Sequence, residues 1–285
     1  MIIDKDCIGC LINQSVKVAD AIDADKILKT QLISSIEAMS KNFSFLDTPP
    51  EIAADIYKKM ALIANKKDLY DDVKALSTKK ALSFVPLVKD KLLHSKNRLL
   101  TATKIAVAGN VIDLATEIEF NLADELDKIF DTEFAINDFK ILENSLLTAK
   151  NVVILGDNVG EHIFDYIFIE VLKELYPDIN YSYFVRGTPI INDVTIVEAK
   201  ELGFHNICNL VDSKVNTPGF TYSRASKEAQ ELFDIADLVI SKGMGNYECL
   251  SPSHRDKICF LLKVKCGVVA NSLKKEIGDI ICKIV

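Results

Sequence analysis

The stretch from Val152 to Asp165 constrains this chain more than any other. Four apolar residues (Val152-Val153-Ile154-Leu155) run into a glycine-bracketed acidic turn (Gly156-Asp157-Asn158-Val159-Gly160), and an amphipathic helical pattern follows. A short uninterrupted apolar run bounded by turn residues predicts a strand buried on both faces. The same unit recurs downstream. Apolar runs at 151–155, 181–185, 206–211, 237–241 and 257–262 are separated by helical patterns near 161–176, 194–203, 223–235 and 246–251. That alternation implies right-handed crossovers between parallel strands and helices on both faces of the sheet. From Gly267 the sequence predicts a further strand, a short helix through Leu273 and Ile277, and a last strand through Ile280, Ile281 and Ile284.

Before Lys150 the rhythm is helical. Residues 17–42 carry Val18, Ile22, Leu28, Leu32, Ile36 and Met39 in a helical stripe, and Pro49-Pro50 suit the entry to a helix through Ile52, Ile56, Met60 and Ile63. Further helical patterns cover about 68–95, 97–114 and 135–149. The expected architecture is therefore α/β, with an all-α domain at 1–149 and a mostly parallel sheet domain at 150–285.

Charge and cysteine usage narrow the function classes. With 34 Lys plus Arg against 41 Asp plus Glu the net charge is −7, which disfavours nonspecific binding to nucleic acid or to an anionic membrane face. No apolar run is long enough to span a bilayer, and Met1-Ile2-Ile3-Asp4-Lys5-Asp6 lacks the basic region and apolar core of a signal peptide. A cytoplasmic metabolic protein with no membrane or nucleic-acid partner is expected. Seven scattered cysteines fit a reducing compartment better than a disulfide framework. Cys7-Ile8-Gly9-Cys10 is a lone C-x-x-C without the second ligand pair that structural zinc requires. Buried or locally structural thiols are expected there, with metal or redox behaviour as alternatives.

In an open parallel sheet, ligands bind beyond the carboxyl ends of the strands. Asp157 and Asn158 at such an end suit a hard divalent cation held by oxygen ligands. A dinucleotide site is the rival reading, but Gly156 and Gly160 do not form G-x-G-x-x-G, and Asp157 would oppose a pyrophosphate. After the second strand, Asp193 would complete a three-oxygen set with Asp157 and Asn158; alternatively Asn192 or Asp193 caps the next helix. Arg186 suits a phosphate oxyanion or is a solvated strand-end arginine. The fourth strand leads into Ser241-Lys242-Gly243-Met244-Gly245-Asn246-Tyr247-Glu248, where either glycines let backbone amides approach an anion and Lys242 supplies charge, or the strand simply ends in a solvent-exposed glycine-rich turn. Lys265, at the end of a later strand, reads by itself as an ordinary strand-end lysine, and alternatively adds positive potential. Upstream, Gly109-Asn110 and Asp113 interrupt an apolar helix. Either Asn110 and Asp113 reach the cleft, or Gly109 marks a close helix contact.

Taken together, Gly156-Asp157-Asn158, Gly160-Glu161, Phe164-Asp165, Arg186-Gly187, Pro189, Asn192-Asp193, Thr195 and the 241–248 run resemble the metal-dependent damage-control phosphatases, formerly a domain of unknown function. Cys7-x-x-Cys10 and Gly109-Asn110 with Asp113 also match its compact prokaryotic branch. The resemblance implies an all-α N-terminal domain on a Rossmann-like three-layer α/β/α domain. It implies a divalent ion (manganese, cobalt, nickel or magnesium) on Asp157, Asn158 and Asp193, with Lys242 on the substrate phosphate. Small phosphorylated metabolites are the implied substrates, among them sugar phosphates and damaged cofactor precursors. The expected catalytic set is Asp157, Asp193 and Lys242; the expected substrate contacts are Arg186, Lys242, Asn246, Asn110, Asp113 and Glu161. A non-catalytic protein that binds metal and a phosphorylated ligand is the alternative, and a nucleotide-dependent redox protein using Cys7 and Cys10 is a second.

Overall fold

The computed structural model describes residues 1–111, 128, 130–251 and 256–285. Asp4 accepts from the Asp6 amide and opens α1 (Lys5–Ala21), so the first helix begins well before residue 17 and contains the C-x-x-C pair. The stripe predicted over 17–42 is two helices. The chain turns through Ile22–Asp25, and Asp25 caps α2 (Lys26–Ser40) by accepting from the Leu28 amide at 2.8 Å. Four turn residues are about one helical repeat, so the hydrophobic phase carries across the break. Thr48 and Glu51 form a capping box for α3 (Pro49–Ala64), whose two prolines occupy the first turn as expected. The 68–95 pattern likewise divides, into α4 (Asp71–Leu82) and α5 (Val85–Leu93); Pro86 fits only the first turn of a new helix. After α6 (Arg98–Val111), the region expected to be helical from 135 contributes a two-residue strand, β1 (Ile136–Asn137), before α7 (Phe139–Thr148).

The predicted alternation follows: β2 (Asn151–Leu155), α8 (Glu161–Leu175), β3 (Asn180–Val185), α9 (Ile196–Leu202), β4 (Asn209–Asp212), α10 (Lys227–Ile235), β5 (Leu238–Lys242), α11 (Gly243–Leu250) and β6 (Ile258–Lys263). The further strand expected from Gly267 is instead α12 (Gly267–Leu273), and β7 (Ile280–Ile284) closes the chain. Gly267-Val268-Val269-Ala270 is too short an apolar run for composition to separate helix from strand. The seven strands lie in the order β1-β7-β6-β5-β2-β3-β4, every neighbouring pair parallel except β6 with β7.

Alternate residues of each strand feed two separate cores. Val152, Ile154, Tyr183 and Ile240 face α6, α7 and α8, while Val153, Leu155, Phe184 and Val239 face α10, α11 and α12, as a period of two requires. Helices α5, α6 and α7 thus bury their apolar faces in the same core as the sheet, and β1 extends the sheet from within residues 1–149. A third core belongs to α1, α2 and α3. Ile190, from the loop after β3, is buried within it, so that loop is pinned to the helical layer.

Candidate active site

From β2 the chain winds outward to β3 and β4, then crosses to β5 and β6 on the other side of β2. The loops at the ends of β2 and its neighbours therefore diverge, and the crevice between them is where an α/β sheet takes its ligand. Asp157 stands two residues past β2, at that point. Two backbone contacts lock its turn to the loop after β3: the Val194 amide donates to the Asp157 carbonyl (2.8 Å) and the Val159 amide to the Asn192 carbonyl (2.7 Å). An isolated bridge pairs Asn158 with Asp193. Thr195, and neither Asn192 nor Asp193, caps α9 through a capping box with Glu198, which leaves Asp193 to the crevice. Ile191 in the same loop has φ +46°, a left-handed conformation that costs a β-branched residue about 1–3 kcal/mol. Buried Ile190 on one side and the bonded Asn192 carbonyl on the other hold it there.

The charges in this pocket oppose one another. Burial, followed by the charges of Glu161 and Asp193, pushes the Asp157 carboxyl well above the usual carboxylate range. Burial also raises Asp193, to about 6, against the pull of Arg186. Arg186 is itself buried: its Nε donates to Asp193 Oδ2 at 2.7 Å, and one terminal nitrogen lies 3.7 Å from Asp157 Oδ1. The Arg186 guanidinium is thus turned to the two aspartates from within the fold. Asn158 donates through Nδ2 to Asp157 Oδ2 (3.2 Å) and Glu161 Oε1 (2.8 Å).

Several other expected substrate contacts have partners inside the protein. Lys242 is fully buried and ion-paired with Asp165, whose other oxygen accepts from the Tyr183 hydroxyl at 2.9 Å. Burial alone would lower the Lys242 ammonium; the charges of Asp165, Glu161 and Asp157 raise it above the ordinary lysine value. Lys242 lies at the end of β5 with its side chain inside the fold, so it is a counter-charge beneath the turn and not a group on the cleft surface. Asn246 donates to the carbonyls of Gly156 (3.1 Å) and Lys242 (2.6 Å), and its oxygen accepts from the Phe220 amide (2.7 Å) and Arg186 (3.4 Å). Its hydrogen-bonding capacity is taken up tying strand ends together. Gly243 and Gly245 are not a free loop but the first turn of α11. Gly243 has φ +75°, and a Cβ there would lie 1.9 Å from Asp157 Oδ2; its bare backbone makes room for that carboxylate.

Glu161 is buried beside Asn158. A Cβ on Gly109 would meet Glu161 and the Phe164 ring at 3.0 Å, so Gly109 marks the close packing of α6 on α8. Asp113 and the Asn110 side chain, the proposed contributions of that helix to the cleft, lie outside the described residues.

Asp157, Asn158 and Asp193 open onto a cleft of about 430 Å³ between the sheet edge and the α1–α3 layer. The cations lining it are Lys17 from α1 and Lys265 from the end of β6. Cys7, Cys10 and Cys266 line it as well; of the expected buried or locally structural thiols, Cys7 is half-buried and Cys10 exposed, so neither is fully buried. Lys17 and Tyr57 carried no sequence signal beyond an ordinary helical pattern. Ile191 carried none, because φ is decided by the loop's anchors and not by residue type.

The model of the damage-control phosphatase ARMT1-like domain matches residues 3–281 of the chain. The chain belongs to this family. It is 30% identical over 286 residues to damage-control phosphatase PH1575 of Pyrococcus horikoshii, covering 99% of this chain and 98% of that one. It is 29% identical over 285 residues to a damage-control phosphatase of Archaeoglobus fulgidus, covering 98% of each. The crystal structure of a DUF89 family protein from P. horikoshii superposes with a TM-score of 0.91 at 28% identity, covering 100% of this chain and 99% of that one. The damage-control phosphatase fold is thus shared from end to end, helical layer included. No helix among the described residues is long and apolar enough to cross a membrane.

Proposed function

We propose that the protein is a metal-dependent phosphatase of small phosphorylated metabolites, working at the Asp157 turn. The observation that carries this reading is the convergence of Asp157, Asn158 and Asp193 on one cleft at the sheet's switch point, with Lys17 and Lys265 lining the same cleft. Damage-control phosphatases among its relatives support the reaction class.

The donor set suits a divalent cation on electrostatic grounds. Burial and neighbouring negative charge oppose ionisation of Asp157, and a cation between the two aspartates would relieve both effects. Among the described residues no three His, Cys, Asp or Glu side chains cluster closely enough to hold an ion by themselves, and in this reading the amide oxygen of Asn158 is the third ligand. When bound, such an ion polarises a phosphoryl oxygen and activates water. The chain's own groups do the rest. Arg186 fixes the orientation of Asp193 through its 2.7 Å bond, and Gly243 leaves space for the Asp157 carboxylate. Lys265 and Lys17 neutralise charge that develops on phosphoryl oxygens facing the cleft. Lys242, paired with Asp165, stabilises the acidic turn from behind.

The test is phosphate release from a panel of sugar phosphates and phosphorylated cofactor precursors by chelator-treated protein, with manganese, cobalt, nickel and magnesium restored one at a time. Release that requires a divalent ion is expected, and turnover equal in chelator would refute metal dependence. Tight ligand binding without any release would favour a non-catalytic binding protein.

A further inference from the structure

A second cavity, of about 300 Å³, adjoins the cleft; Tyr57 and Ile191 line both. The polar groups around this side chamber are almost all donors. Lys58 and Lys67 reach it without an ion-pair partner among the described residues. Asn216 has its oxygen engaged by Arg224 at 3.3 Å, which leaves the amide N–H groups for a ligand, and Thr188, which carries a hydroxyl, lines the chamber too. The one acidic side chain lining the chamber, Asp68, has both oxygens occupied: Oδ2 by Lys74 (2.8 Å) and Oδ1 by the Tyr70 amide (2.9 Å). In a chain of net charge −7, two unneutralised lysines with an amide and a hydroxyl make a local anion site.

The sill between the two cavities is apolar. Tyr57 is buried with its hydroxyl donated to Gln14 at 2.8 Å, so its ring is what the junction presents. Ile191 adds its branched side chain, held in place by the strained loop that also delivers Asp193. We propose that the side chamber is the subsite for a second anionic group, and that the preferred substrates are small metabolites carrying a phosphoryl group at one end and a phosphate or carboxylate at the other. The carbon skeleton between them crosses the Tyr57–Ile191 sill. This inference rests on the phosphatase reading for the cleaved end only; the anion subsite is a binding property that stands apart from turnover.

Matched pairs test it. Glucose 6-phosphate against 6-phosphogluconate oxidises C1 of one six-carbon skeleton to a carboxylate, and fructose 6-phosphate against fructose 1,6-bisphosphate adds a phosphate. Calorimetric binding and phosphate release are measured for wild type and for the double variant Lys58→Gln with Lys67→Gln, both positions being exposed. Wild type is expected to favour at least one doubly anionic partner about tenfold in Kd and KM, the favoured pair telling carboxylate from phosphate. The double variant should erase that preference while leaving kcat and the singly anionic compounds unchanged. Equal affinity within both pairs in wild type, or a preference that survives the double variant, overturns the proposal. Failure to release phosphate from any of the four compounds counts against the phosphatase reading, while the binding preference still decides the chamber.

Discussion

Replacing Gly243 with alanine separates the stability of the fold from the function of the site. Two effects follow from the geometry. The backbone at φ +75° is unfavourable for an L-residue by about 1–2 kcal/mol, a melting-point fall of roughly 2–6 °C in a chain of this size. The new Cβ would also stand 1.9 Å from Asp157 Oδ2 and 2.4 Å from its Cγ. Asp157 is short and rotates about χ1, so the cheapest relief is to swing its carboxylate aside and not to move β5 or α11. The fold survives that change; a cation site does not. A displacement on the order of 1 Å at a reacting centre costs about a hundredfold in rate. The variant should therefore melt within a few degrees of wild type, bind manganese far more weakly by calorimetry, and lose about a hundredfold in metal-stimulated phosphate release. Unchanged metal affinity and turnover, with the melting point lowered as calculated, would refute the placement of the ion against Asp157.

Lys242→Met leaves Asp165 as an uncompensated buried charge and should destabilise the protein by about 3–5 kcal/mol in denaturant titration; adding Asp165→Asn should recover much of that loss, and additive losses would contradict the pairing. Asp193→Ala strips buried Arg186 of its 2.7 Å partner and should lower stability, whereas Asp157→Asn relieves repulsion from Glu161 and Asp193 and should raise the melting point of the metal-free protein; the opposite ordering would sink the electrostatic account. Lys265→Ala should lower phosphate release about tenfold or more without changing metal affinity, and equal loss of both would assign it elsewhere. His162, buried and held neutral with its pKa lowered to about 4, binds its proton more readily when unfolded. Its contribution to stability is thus present above the unfolded value near 6.5 and lost as pH falls towards 4, by about 3 kcal/mol. The wild-type melting point should drop more steeply across that window than that of His162→Gln, and parallel curves would exclude the effect.

The strands of the sheet, the helices between them and the acidic turn after β2 were legible in the sequence because they depend on local periodicity and turn chemistry. A buried parallel strand is a short apolar run, and Asp157-Asn158 at its end is a polar pair where ligands collect. Asp157, Asn158 and Asp193 were brought together as expected, since all three sit on backbone segments whose positions follow from strand order. Lys242, Arg186 and Asn246 were legible as polar groups near that edge, but the direction of each side chain was not. Whether a strand-end lysine faces cleft or core depends on what lies across from it, and for Lys242 that is Asp165, 77 residues away. The tertiary structure alone decided that these three side chains turn into the fold around the site, that Lys17 lines the cleft together with Lys265, and that a side chamber opens past Tyr57 and Ile191. Sequence patterns report the period of burial along one element. Contacts between elements set charge pairing, cavity shape and the left-handed backbone of Ile191, because those depend on partners that no local pattern encodes.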